Sequence, residues 1–194
     1  MGTHLFNRLN LEPELFSLNH FEDSYFQDKA VLEGWIKKYD VLVHLAALNR
    51  HHQPGVIYNT NIMLTKQLIN ALEATDSKPH ILFSSSTQEE HNNPYGRSKL
   101  EGRKILTAWA DKVGATFTGL IIPNVFGPFG NPYYNLVIAT FSHQLTHCEE
   151  PKIDVDGLLK LIYIDELTEL FRSCILEKRV DREYRGPHTF EIKV

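Results

Sequence analysis

Tyr95 and Lys99 stand four apart in Tyr95-Gly96-Arg97-Ser98-Lys99, a spacing that on a helix puts a phenol and an ammonium on one face. An ordinary Tyr titrates near 10, about three units above neutral pH, and a neighbouring cation favours its phenolate. The pair therefore suits a phenol that exchanges protons with a substrate oxygen while Lys99 supplies the field. By itself the spacing occurs on many solvated helices. What sets it apart is Ser84-Ser85-Ser86 just upstream: hydroxyls gathered at the end of a buried strand, where open α/β sheets place their ligands. Ser84 and Ser85 also read as groups that cap the strand end through local hydrogen bonds. A second constellation, His143-Gln144-Leu145-Thr146-His147 with Cys148 adjacent, sets two imidazoles at i and i+4. Gln144 stands where the H-E-x-x-H pattern carries its Glu and no third ligand is evident, so no metal site is expected. His44 lies inside an apolar run and reads as a core histidine. Trp35 and Trp109 read as packing residues, and Glu149-Glu150 with Asp154 and Asp156 as a solvated loop.

These groups need a frame to position them, and the hydrophobic pattern supplies one. Short aliphatic runs alternate with longer stretches of helical periodicity, the pattern of a parallel sheet covered by helices. Strands are expected at 15–18, 41–45, 81–84 and 116–122, the last closed by Pro123. Helices are expected over 28–38, 56–72 and 95–113, with Gly114 ending the third in a left-handed conformation. After the turn-rich segment 127–132, helix resumes over about 134–146. The tail suggests strands around Ile153 and Leu161, a helix over 164–177 and a closing strand over 190–194. Residues 1–150 read as the main domain and 151–194 as the start of a smaller region.

Composition narrows the function classes. With 20 Lys+Arg against 24 Asp+Glu the net charge is −4, which argues against a polyanion-binding surface and hence against nucleic acid as partner. Two cysteines are too few for a disulfide framework, no apolar run approaches the roughly 20 residues of a membrane span, and the first residues carry no secretory pattern. A cytoplasmic location without membrane contact is expected.

The ordered motifs resemble the extended short-chain dehydrogenase/reductases of the nucleotide-sugar epimerase/dehydratase family. Asp40-Val41-Leu42-Val43-His44-Leu45-Ala46-Ala47 is similar to the family segment that ends under the adenine, and Asn61 to the Asn of the following helix. Ser86 with Tyr95 and Lys99 resembles the catalytic triad, and Pro123-Asn124 followed by Gly127 the nicotinamide and sugar loop. The resemblance implies a Rossmann-like doubly wound parallel α/β sheet. The chain opens on Met1-Gly2-Thr3-His4-Leu5, however, so only Gly2 matches the family's G-x-x-G-x-x-G turn, and the first strand and Gly-rich turn are expected to be missing from the sheet. Three details, Ala47-Leu48-Asn49-Arg50, the nine-residue interval from Ser86 to Tyr95, and the run from Asn131 to Phe141, resemble the reductase domain of capsular-polysaccharide enzymes that make N-acetyl-L-fucosamine precursors.

That resemblance implies NADPH reduction of a 4-keto-6-deoxyhexose attached to UDP. Tyr95 would then protonate the developing alkoxide, Ser86 would hydrogen-bond the same oxygen, and Lys99 would hold the nicotinamide ribose and lower the Tyr95 pKa. Gly2, His20, Leu45, Ala46, Ala47, Arg50, Asn61, Ser84, Tyr95, Lys99 and Pro123 are the residues it places around the dinucleotide. Ser86, Thr87, Asn124 and Asn135 are those it places around the sugar nucleotide. Asn19-His20 stands where an acid would grip the ribose of NAD, which leans towards NADP with His20 or Arg50 as phosphate partner. A homodimer through a four-helix bundle of helices 56–72 and 95–113 is implied as well. Two alternatives stay open: an epimerase or dehydratase that enlists Glu89 as a further acid/base, and a cofactor-free assembly module.

Overall fold

The computed structural model describes residues 1–134, 136–153, 157–187 and 190–193; Asn135, Asp154 and Asp156, singled out above, lie outside the described residues. In chain order the elements are α1 (Gly2–Leu9), α2 (Lys29–Ile36), β1 (Val41–His44), α3 (Pro54–Thr75), β2 (His80–Ser86), α4 (Pro94–Val113), β3 (Phe117–Ile122), β4 (Asn124–Phe126), α5 (Val137–Thr146), β5 (Leu158–Tyr163), α6 (Ile164–Leu176), β6 (Asp181–Arg185) and β7 (Phe190–Lys193). Four strands make a parallel sheet in the order β1-β2-β3-β6, and β4-β5-β7 form a second, three-stranded sheet. In the first, Val43 pairs with Leu82 and Phe83 with Gly119, all strands running the same way.

Helices cover both faces of the parallel sheet, which is why its inner strands are nearly continuous in apolar residues. On one side Leu32, Leu72, Leu106 and Trp109 of α2, α3 and α4 pack on Ile81, Phe83 and Phe117. On the other, Leu5 and Leu9 of α1 and Leu167 and Phe171 of α6 pack on Leu82 and Leu120. Residues 81 and 83 thus face one layer and residue 82 the other, the two-residue period of a strand. The helices begin where the sequence offers caps. Asp28 Oδ1 accepts from the amides of Ala30 and Val31 at 2.9 and 3.2 Å, and Asn93 Oδ1 accepts from Gly96 N at 2.7 Å. Gly114 ends α4 at φ +70° as expected.

The sheet departs from expectation at its margins. Residues 15–18 form no strand: Leu15 N and Phe16 N donate to Glu12 O in a turn at 3.0 and 3.1 Å. Phe16 and Leu18 still pack against the α1/α6 layer, so the apolar spacing there reflects packing without a neighbouring ladder. Residues 151–153 form no strand, and Ile153 is 55% exposed. Unanticipated α1 is held to α6 by Leu5 and Leu9 and by a chain of ion pairs, Arg8–Glu12 at 2.7 Å, Glu12–Arg172 at 2.6 Å and Arg8–Glu169 at 2.8 Å. Unanticipated β6 reads as polar because its charges find partners beside the sheet: Arg182 with Asp111, Glu183 with Arg103 and Arg185 with Glu90. No helix among the described residues is long and apolar enough to cross a membrane.

Candidate active site

The parallel strands deliver three segments to one edge of the sheet. The loop from Leu45 follows β1, Ser84 to Ser86 end β2, and Pro123 with Asn124 follows β3. This carboxyl edge is where open α/β sheets bind ligands. The start of α4 is pressed onto it: a Cβ added to Gly96 would stand 1.9 Å from Gln88 O, so only glycine lets this first helical turn meet the Thr87–Glu90 turn. Asn93 Nδ2 donates to Gln88 Oε1 at 3.0 Å, and Ser86 Oγ accepts from Gln88 N at 3.2 Å. The Ser86 hydroxyl keeps its own proton free to donate.

Lys99 is buried, at 3% exposure. Its Nζ donates to Ser84 O at 2.8 Å and lies 5.0 Å from the centre of the Phe83 ring and 5.7 Å from that of Tyr95. An ammonium has three N–H donors, so two have no protein acceptor among the described residues. Burial pushes this ammonium down to about 8, against a smaller upward pull from Glu89. Burial also pushes the Tyr95 phenol up to about 12. The neighbouring cation was expected to lower Tyr95; in the folded chain desolvation outweighs that field, and the phenol keeps its proton at neutral pH.

Asn61 ties this arrangement together. Its Oδ1 accepts from Leu48 N at 2.7 Å, its Nδ2 donates to Leu48 O at 3.0 Å and Ser98 Oγ at 2.9 Å, and Ser98 Oγ in turn donates to Tyr95 O at 2.7 Å. The loop after β1 is thereby fixed to the α4 turn that carries Tyr95. Ser84 Oγ donates to His44 O of the neighbouring strand at 3.3 Å, a bond across the sheet where a local one was expected. His44 stacks on Phe83 at 5.6 Å between ring centres, and burial first, then Lys99, pushes it down to about 3. Because an unfolded His charges near 6.5, His44 stabilises the fold fully above that pH, and the contribution is lost as pH falls towards 3. His44→Phe is expected to retain about 2 kcal/mol that the parent loses between pH 6.5 and pH 5, read by urea unfolding at the two pH values.

Other expected residues are more dispersed. His20 is exposed and stacks on Phe6 with ring centres 3.9 Å apart. Arg50 donates to Tyr133 O at 3.4 Å and sits 5.2 Å from the centre of the Tyr134 ring. Pro123 is buried, Thr87 half-buried and Asn124 exposed, its strand β4 pairing with β5. Glu89 is not available as a substrate acid/base: its carboxylate takes Arg103 Nε and Nη2 at 2.9 and 2.7 Å and also accepts from Ser85 Oγ. The sequence reading missed Arg103 as its partner, although position 103 falls one helical turn after Lys99 on the same face. His143 and His147 stack at 3.9 Å between ring centres.

The residues present fit a nicotinamide dinucleotide at its reactive end, where Lys99 has unused donors and the Tyr95 hydroxyl has no protein partner among the described residues. At the other end, α1 opens at Gly2 with no side-chain cap, and a Cβ on Gly2 would lie 3.7 Å from Leu45 Cδ1. Uncapped amides of a helix start, set against the loop after β1, are what a pyrophosphate requires.

The fold agrees with the matches found among known proteins. Residues 2–186 match the NAD dependent epimerase/dehydratase family, and the chain belongs to it. It is similar to UDP-2-acetamido-2,6-beta-L-arabino-hexul-4-ose reductase of Pseudomonas aeruginosa, 31% identical over 141 residues that make up 72% of this chain and 38% of that protein. Among solved structures it is similar to the capsular polysaccharide assembling protein CapF of Staphylococcus aureus, with TM-score 0.74, 27% identity, and 97% of this chain and 51% of that one covered. UDP-glucose 4-epimerase of Thermotoga maritima shares the fold at TM-score 0.81, with 22% identity over 99% of this chain and 75% of that one. The chain thus spans 38% of the reductase and 51% of CapF.

Proposed function

We propose that this chain provides the dinucleotide and catalytic site of a reductase acting on a UDP-linked 4-keto-6-deoxyhexose in surface-polysaccharide synthesis. The observation that carries the reading is a phenol that has no protein partner among the described residues, beside a buried lysine with donors unused among them. When bound, NADPH supplies the hydride. Lys99 would hold its nicotinamide riboside, the loop from Leu45 to Ala47 would lie against its adenine, and the α1 start at Gly2 would hold its pyrophosphate. Tyr95, kept protonated by burial, donates its proton to the carbonyl oxygen as charge develops there, and Ser86 donates a hydrogen bond to the same atom. Phe83 packs against the Lys99 ammonium, which lies 5.0 Å from its ring centre.

Reduction asks Tyr95 to give a proton to a carbonyl oxygen, whereas epimerisation and dehydration begin by removing one from substrate, and we favour the first direction. The relative with reductase in its name supports the same direction. The lack of an acid at Asn19-His20 favours NADP over NAD. Residues 151–194 belong on this reading to the start of the substrate region, and α3 with α4 to a homodimer interface. The test is NADPH oxidation followed at 340 nm with a UDP-4-keto-6-deoxyhexose: substrate-dependent oxidation is expected, and none with substrate and cofactor both saturating contradicts the reading.

A further inference from the structure

The mechanism leaves one buried charged cluster unused. Arg103 and Glu89 form an ion pair in which each side chain is 6% exposed. The guanidinium grips the carboxylate with two nitrogens, and its third, Nη1, donates to Arg182 O and Glu183 Oε1 of β6, each at 3.0 Å. Space for the Arg103 stem comes from Gly119: a Cβ there would stand 2.8 Å from Arg103 Cδ and 2.7 Å from Arg182 O. Glu89 also accepts from Ser85 Oγ, the neighbour of Ser86. The pair therefore spans β6, α4 and the turn that follows β2, and all three Arg103 nitrogens are engaged.

Burying two charges costs solvation that a pair of apolar residues would not, and such pairs add little to stability by themselves. We infer that Glu89 and Arg103 are a positioning pair for the site: they clamp the Ser86 turn to α4 and aim a fixed negative charge at the Lys99 ammonium. Arg103 lies one helical turn beyond Lys99, so without Glu89 two cations would share that face unopposed. The charged and titratable groups around Lys99 are His44 from β1, Glu89 from the turn and Tyr95 and Arg103 from α4. Ser84 and Phe83 of β2, which the ammonium meets, bring no charge. Glu89 is the one that raises the proton affinity of Lys99.

The inference uses the assignment of Tyr95 and Lys99 as reacting groups only in its kinetic arm, so its decisive test is spectroscopic and needs no cofactor. The Lys99 side-chain signal is titrated by NMR in full-length protein labelled at lysine Cε and is assigned by its absence in Lys99→Met. Glu89→Gln is expected to move the Lys99 midpoint down by about one pH unit or more. Should that variant fail to fold with Arg103 left unpaired, Glu89→Gln/Arg103→Met removes both charges and is expected to fold and to show a lowered midpoint. A midpoint unchanged in the folded variant overturns the inference. In NADPH turnover at neutral pH the same variant is expected to lower kcat and to raise KM for NADPH, because a lowered midpoint leaves less of Lys99 charged. A shifted midpoint with unaltered kcat supports the charge assignment and rejects Lys99 as a reacting group.

Discussion

Tyr95→Phe is expected to abolish most turnover while leaving the fold intact. A positioned general acid contributes about 10²–10⁴-fold to such reactions, and the loss is expected in kcat, since the proton is transferred only as the carbonyl is reduced. The Tyr95 hydroxyl makes no protein hydrogen bond among the described residues, so its removal leaves no buried partner unpaired, and unfolding free energy is expected to change by less than about 0.5 kcal/mol. The ring itself stays beside Lys99. Activity and urea unfolding measured on the same preparation separate the two effects. Wild-type turnover in this variant would show that another group protonates the substrate.

Lys99→Met is expected to move stability and function in opposite directions. Burial holds the ammonium at about 8, below the 10.4 of an unfolded lysine, so its charge opposes folding at neutral pH by about 2–3 kcal/mol. The sign follows from proton binding: between pH 8 and pH 10.5 the unfolded chain holds a proton that the folded chain has released, and stability rises with pH across that window. Met has nearly the same stem and no charge. The variant is expected to be more stable at pH 7 and to lose the alkaline rise, as read from unfolding midpoints at pH 7 and pH 10. It is also expected to lose turnover. A residue retained at a cost to stability is the pattern of a functional group.

The inner frame was legible because buried parallel strands and their helices leave strong local signals. Val41 to Leu45 is apolar but for His44, Ile81 to Phe83 is apolar throughout and Phe117 to Ile122 is interrupted only by Thr118 and Gly119, and Gly114 marks a helix end by its conformation. The margins were not. The apolar spacing at 15–18 could not say whether a neighbouring strand offers a ladder, and Asp181 to Arg185 carries the charges of an edge strand whose partners, Asp111, Glu90 and Arg103, lie far away in sequence. Within the proposed site, residue types and spacing single out Tyr95 and Lys99, and Ser86 is added by the family resemblance. The direction of the Tyr95 shift was missed because it depends on how much water reaches the ring, which spacing does not encode. The sequence offers Glu89 as an acid/base for the epimerase or dehydratase alternative and does not show its partner Arg103, which sits fourteen residues on, across a contact that Gly119 and Gly96 make room for.

The central claim is that the cleft between β2 and α4 holds a nicotinamide dinucleotide through Lys99, and a fluorescence titration with NADPH tests it most directly. Saturable binding to the wild-type chain is expected. Each charge-assisted hydrogen bond is worth about 1.5–3 kcal/mol, so Lys99→Met is expected to weaken binding by at least about tenfold, with Tyr95→Phe much less affected. No binding at millimolar NADPH, or equal binding by wild type and Lys99→Met, would contradict the account.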